Sequence, residues 1–258
     1  MEKSEEAKYK KLRKFNGAMG VLHTVQGALV LALTNDYSLP IQSNFLRFDP
    51  VTETFSQNLE TVVEVPIGPL IAAFLFITAF AHFSVSTYGY GWYVRNLKKG
   101  MNPARWYEYS VTSSIMIVII GMLSGIFDIA AILAIVAANA SMNLFGLMME
   151  KHNQHTERTD WSAFNYGTFA GALPWIAVLV YFLGAVGSGG EGPPTFVYVL
   201  IAVLLIFWIT FPVNMLLQYK GVGKWKDYLY GEMGYVVLSL TSKSALAWIV
   251  FGGTLRGG

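Results

Sequence analysis

Seven stretches of this chain are each long and apolar enough to cross a lipid bilayer. A helix needs about 20 mostly apolar residues to span the hydrocarbon core. Phe15–Asn35, Pro66–Val94, Ala104–Ile126, Ile129–Met149, Ser162–Val186, Thr195–Gln218 and Leu229–Thr254 all meet that length. Short connections join nearly all of them, which predicts an all-α membrane protein, a seven-transmembrane helix bundle forming one domain over residues 1–258. Charge agrees: 13% of the residues are charged, against roughly 25% in a soluble domain. A formal net charge of +2 offers no basic stripe for nucleic acid. The chain has no cysteine, so disulfides, thiolate nucleophiles and iron–sulfur clusters are excluded. No repeat of solenoid period and no inverted halves are present. The charged start, residues 1–14, lacks a cleavage site and is expected to stay attached.

Lys and Arg fall unevenly about these spans. One side collects Lys3, Lys8, Lys10, Lys11, Arg13 and Lys14, then Arg95, Lys98, Lys99 and Arg105, then Lys151, Arg158, Lys220, Lys224 and Lys226. The other side holds only Arg47 and Arg256, and Lys243 lies within a span. Basic loops stay in the cytoplasm, so the amino terminus is expected inside the cell membrane and the carboxyl terminus outside. Trp92, Trp106, Trp161 and Trp225 fall at cytoplasmic span ends and read as an interfacial aromatic belt. The one long connection, residues 36–65, is then external. Within it, Asn44–Phe48 and Thr52–Ser56 flank an Asp49-Pro50 turn, the pattern of a short β-hairpin, with an irregular loop as the alternative. An exposed hairpin edge could pair with a second copy, making a homodimer.

Ionisable side chains inside a bilayer are costly and mark function. The spans hold few: Lys243, Glu108, His23 and His82. Asp128, Glu150 and Glu232 fall near span ends and are expected to meet water there. Lys243 is too deep to reach either interface, so it must be paired, neutral or modified. It reads either as a structural ion pair with Glu108 or as an amine used to form a Schiff base with a carbonyl. Its surroundings are specific. Ser239 lies one turn before Lys243. Arg105, Glu108 and Thr112 form an Arg-x-x-Glu-x-x-x-Thr stripe in the third span. In the sixth, Trp208-x-x-Phe211-Pro212 sets two aromatics beside a kinking proline.

This order of motifs resembles the microbial rhodopsins, seven-helix proteins that carry retinal on a lysine of the last span. The inverted orientation, a glutamate at position 108 and a serine at position 239 resemble one branch, the heliorhodopsins. The resemblance implies all-trans retinal bound covalently to Lys243 as a protonated Schiff base. Glu108 is then the counter-ion, with Ser239, Arg105 and Thr112 in the Schiff-base region. Proton pumps of the wider family carry a carboxyl donor eleven residues after the counter-ion; here that residue is Ile119, within a wholly apolar run. Pumping is therefore not expected.

His23 and His82, with Gln26 and Thr78 on their faces, are expected to form a polar cavity on the cytoplasmic side that accepts the proton. The same two histidines read alternatively as neutral packing residues or as metal ligands. Trp208, Phe211, Met142, Asn139, Tyr109 and Trp106 are expected to line the retinal pocket. Gly167 and Gly171, with Ala137, Ala138 and Ala140, would let helices approach closely. His152 and His155 read as solvated loop. The expected function is a non-enzymatic light sensor with a slow conformational signal, in contact with membrane lipids and a cytoplasmic partner. The alternatives are a light-gated proton channel or weak pump, and a retinal-free transporter using Lys243 and Glu108 as an ion pair.

Overall fold

The computed structural model describes residues 2–255; Arg256, counted above on the external side, lies outside them. Along the chain run α1 (Glu2–Leu33), β1 (Ser38–Asp49), β2 (Thr54–Pro66), α2 (Ile67–Ser86), α3 (Tyr90–Leu97) and α4 (Pro103–Leu123). Then follow α5 (Ile129–His152), α6 (Ser162–Gly187), α7 (Thr195–Tyr219), a 3-10 turn at Gly223–Lys226, and α8 (Tyr228–Val250), which ends in a π turn at Phe251–Leu255. Every helix except α3 is long and apolar enough to span a membrane.

The helices begin where the sequence supplies caps. Asn102 accepts the Arg105 amide at 3.2 Å, with Pro103 in the first turn. Asp128 and Asp227 cap α5 and α8 in the same way, accepting from Ala131 and Leu229. Gly125, at φ 100°, makes the tight turn between α4 and α5.

Consecutive helices pack in order, α1 on α2, α2 on α4, α4 on α5, α5 on α6 and α7 on α8, and α8 returns to α1. α4 also touches α6 and α7, so it runs through the middle of the bundle. The hairpin-side half of α4 is sealed in the largest core cluster, by Met116, Ile117, Ile119, Ile120 and Met122 against Phe74, Leu75, Val178 and Leu200. A smaller aromatic cluster of Trp106, Tyr109, Met215 and Tyr235 fills the amino-terminal half. Outward faces stay apolar, as with Leu29, Val180, Leu183 and Ile206, which suits lipid.

Two elements differ from the sequence expectation. The span expected over Pro66–Val94 stops at Ser86, turns through Thr87–Gly89 and resumes as α3. A Cβ on Gly89 would stand 2.7 Å from the Ser84 carbonyl oxygen, so the turn is closed tightly around a glycine. Arg13 of α1 fixes this break, its Nε donating to the Ser86 carbonyl at 2.7 Å and its guanidinium lying 4.4 Å over the Tyr90 ring.

The hairpin is real but far longer than the segments Asn44–Phe48 and Thr52–Ser56. Its register runs from Ser38 opposite Pro66 to Asp49 opposite Thr54, with one irregularity at Ile41/Gln42. Its base is anchored, since the Gln42 amide donates to the Phe127 carbonyl at 2.8 Å and Leu39, Ile41 and Val65 pack on the core. Its outer half exposes Phe45, Leu46, Phe48, Phe55 and Leu59.

Candidate functional site

Lys243 is buried in the middle of α8, at 3% exposure. Its Nζ donates to Glu108 Oε1 at 2.7 Å and to Ser239 Oγ at 2.9 Å. Thr112 Oγ1 donates to the same Glu108 oxygen at 2.8 Å, and Thr78 Oγ1 does so at 2.5 Å. A buried ion pair repays its desolvation only when further hydrogen bonds satisfy the charges, and these three hydroxyls do that. The Tyr109 ring lies 5.0 Å from Nζ and adds a cation–π contact. Tyr109 is itself held by its hydroxyl, which donates to the Tyr235 carbonyl.

Two cavities meet at this pair. The larger, about 160 Å³, is a mostly apolar slot between α4, α5, α6, α7 and α8 that reaches Lys243. Trp106, Tyr109, Asn139, Met142, Trp208 and Phe211 all line it. So do Trp175, Asn143 and Ser113, which sequence reading missed. Asn139 and Asn143 each donate to Ser113 Oγ, giving the α5 wall a polar strip. The walls are set by close approaches: a Cβ on Gly171 would collide with Met142, and one on Gly146 with the Trp106 ring. Either would push a wall side chain into the slot.

The smaller cavity, about 40 Å³, lies on the amino-terminal side of the pair. Glu108, Ser239, Thr78 and His82 line one part, and Asn16, Tyr93, Asn102, Arg105 and Glu232 the rest. His82 Nδ1 donates to Asn16 Oδ1 at 2.8 Å. His23 stacks on His82, with ring centroids 5.7 Å apart, but lies outside both cavities and neither of its ring nitrogens has a partner. Gln26 also lies outside them, because its Oε1 accepts from Trp248 Nε1 at 3.0 Å. Of the four residues expected to form the polar cavity, the structure brings His82 and Thr78 to it. Among the described residues no cluster of three metal-ligating side chains occurs, the two histidines included. His152 faces Asp160 at 3.2 Å near the surface. Hydrogen bonds from Ser162 hold the Asp160 carboxyl below its ordinary range.

Arg105 departs most from the sequence reading. It does not serve Glu108. Its Nη1 pairs with Glu232 and its Nη2 with Glu150. The guanidinium is sandwiched by Tyr235, 3.8 Å from the ring centroid, and Trp106, at 4.5 Å. Glu150 and Glu232, expected to meet water, are buried, their side chains 2% and 1% exposed. The side-chain direction explains the change: a helical side chain leans toward its own amino terminus, which carries Arg105 away from Glu108. Trp106 is likewise drawn inward from the expected interfacial belt, and its Nε1 donates to Glu150 Oε2 at 2.8 Å.

Comparison with known proteins identifies the family and the fold. The sequence model of the heliorhodopsins matches residues 12–255. The transmembrane domain of the Salpingoeca rosetta rhodopsin phosphodiesterase superposes with a TM-score of 0.67 at 16% identity, covering 97% of this chain and 87% of that one. Exiguobacterium sibiricum rhodopsin gives 0.60 at 16% identity over 95% and 94%. Cyanorhodopsin from Tolypothrix sp. gives 0.54 at 15% over 93% and 92%. Among curated proteins none matches the sequence. At these identities the structural likeness establishes the fold alone.

Proposed function

The chain belongs to the heliorhodopsin family, and from that premise we propose that it senses light through all-trans retinal joined to Lys243, without pumping ions. The coarser statement, a multi-pass membrane protein and retinal photoreceptor, follows from the family and the seven helices. The finer one is carried by one observation: a buried primary amine, paired to a single carboxylate, opens directly onto a long aromatic slot. The residues present fit the chromophore. The slot is mostly apolar, with polar groups at the Lys243 end, on the Asn139–Ser113 strip and at Thr168. Gly146 and Gly171 set its width.

When bound, retinal supplies visible absorption and an isomerisation that turns the N–H at Lys243. The chain's own residues do the rest. Glu108 faces the charge on Nζ and favours its protonated form. Ser239 holds the same nitrogen in register. When the N–H turns from Glu108, the ion pair weakens and the proton leaves Nζ for the polar cavity, where His82 and Thr78 stand. On the other side Ile119 is fully buried within the apolar half of α4, so no group there reloads Nζ from that direction. The proton then returns the way it came, and the output is a rearranged amino-terminal face.

The distribution of Lys and Arg supports placing that face in the cytoplasm. Its basic residues would meet anionic lipid or an acidic partner. The exposed outer half of the hairpin suits pairing with a second copy.

The test is a visible spectrum of protein expressed with all-trans retinal, bleached by hydroxylamine in light. A visible band in the parent that is absent from Lys243→Ala supports the reading. A coloured Lys243→Ala protein refutes it.

A further inference from the structure

Beyond the lysine–glutamate pair, the amino-terminal half of the bundle holds a second buried group of charges that the proposed photochemistry leaves unused. Arg105 on α4 is one cation between two carboxylates, Glu150 on α5 and Glu232 on α8, and all three side chains are nearly inaccessible. Lys243 and Glu108 balance each other. The Arg105 group is formally unequal, with one cation facing two carboxyl groups. In a low-dielectric interior, an unmatched carboxylate attracts a proton.

The two carboxylates are not equivalent. Glu150 accepts from four donors: the Asn102 amide at 2.8 Å, Trp106 Nε1 at 2.8 Å, Arg105 Nη2, and Tyr228 Oη at 3.5 Å. Glu232 accepts from Arg105 Nη1 and, at 2.8 Å, from Asn102 Nδ2, and the Tyr228 hydroxyl also donates to it. Glu232 also lines the smaller cavity, whereas Glu150 does not. Glu108 lines the same cavity from the other end. About 40 Å³ is room for at least one water molecule. Arg105 Nε, buried and without a hydrogen-bond partner, also belongs to this group.

We propose that Glu232 takes up and holds the proton that leaves Lys243 Nζ, reached through the cavity it shares with Glu108. The inference rests on the light-driven release proposed above. The Nζ–H bond breaks with its electron pair left on nitrogen, and an O–H bond forms on Glu232; nothing is oxidised or reduced. Counted with both carboxyls charged, the surplus negative charge before transfer sits on the Arg105 group. Afterwards Arg105 and Glu150 are a balanced pair and the surplus sits on Glu108, beside the nitrogen that gave up the proton. That placement draws the proton back.

The groups facing Glu232 fit this role. They are Arg105 and Glu108 on α4, Asn102 before it, Glu150 on α5, His82 on α2, Tyr93 on α3, and Tyr228 and Tyr235 on α8. Burial pushes the Tyr93 phenol well up from its ordinary range, so it stays neutral. A proton on His82 would instead add a cation with no carboxylate of its own, because its Nδ1 meets only the Asn16 amide oxygen.

Light-minus-dark infrared difference spectra of the retinal-loaded full chain read protonated carboxyl groups directly. The carbonyl band of a protonated acid should rise in the parent protein as the visible band falls. It should be lost in a coloured Glu232→Gln protein. A band that persists in Glu232→Gln, or a coloured parent that never shows one, overturns the assignment. Should Glu232→Gln fail to fold, Glu232→Asp decides: a displaced carbonyl frequency supports the assignment and an undisplaced one overturns it. A parent with no visible band at all would instead remove the retinal reading underneath.

Discussion

Replacing Arg105 with methionine keeps an unbranched apolar stem and removes the guanidinium and its charge, leaving Glu150 and Glu232 facing each other in the interior. Breaking a buried ion pair by deleting one partner typically costs about 3–5 kcal/mol. The local chemistry gives a similar figure. Each stranded carboxyl can escape its burial by binding a proton, and at pH 7 that costs about 3.7 kcal/mol for a group whose ordinary pKa is about 4.3. One such event is close to the lower estimate, and two set an upper bound of about 7 kcal/mol. The stacking of the guanidinium on Tyr235 and Trp106 is lost as well.

The folded variant then holds protons that the unfolded chain has released at pH 7. Its stability should therefore rise as the pH falls, by up to about 1.4 kcal/mol per pH unit for each carboxyl. Unfolding in a sodium dodecyl sulfate titration, followed by tryptophan fluorescence at pH 7 and pH 5, measures both effects. The triple variant Arg105→Met/Glu150→Gln/Glu232→Gln should recover most of the loss, because no charge is left buried in that group. A loss under about 1 kcal/mol at pH 7, or a loss that does not shrink at pH 5, would refute the reasoning.

Glu108→Gln removes the charge that Nζ meets at 2.7 Å and should shift the visible band; an unmoved band would place the counter-ion elsewhere. His82→Phe takes away the histidine that lines the smaller cavity. It should change the rate of proton transfer after a flash severalfold with little change in the dark spectrum, and unchanged kinetics would return His82 to a packing role. Since the chain has no cysteine, Val51→Cys in the exposed hairpin turn gives a single thiol. An impermeant maleimide should label it on intact cells, and labelling only after lysis would reverse the proposed orientation.

Helix number and order were legible because lipid demands about 20 apolar residues per span, and the seven found match that demand. The break at Thr87–Gly89 was not, since its cause is a contact from another helix, Arg13 on Ser86. The hairpin was read too short because consecutive residues of its outer half are exposed on both faces, so its strands need not alternate cleanly.

At the site, the Lys243, Ser239 and Glu108 positions were legible from depth and one-turn spacing. Glu232 and Glu150 were missed because nearness to a span end was taken for access to water. Their helical phase carried the signal. Glu232, Tyr235, Ser239 and Lys243 recur at intervals of three and four on one face of α8, and Asn139, Asn143, Gly146 and Glu150 do so on α5. A carboxylate in phase with a buried stripe is buried too.

The off-centre position of Glu108 also has an electrical meaning. It is the sixth residue of a 21-residue helix, about 8 Å from one end and about 23 Å from the other. On the proposed function, a proton shuttling between Lys243 Nζ and the cavity beyond Glu108 would therefore cross roughly a quarter of the voltage drop along α4. At 100 mV that amounts to about 0.6 kcal/mol, less than a threefold change in the populations of the two proton positions. Ile119 and its apolar neighbours act as the dielectric of a small capacitor. Under the proposed function each flash would displace charge and each recovery return it, so the photocurrent would integrate to zero and the light response would change less than threefold between a resting and a depolarised membrane.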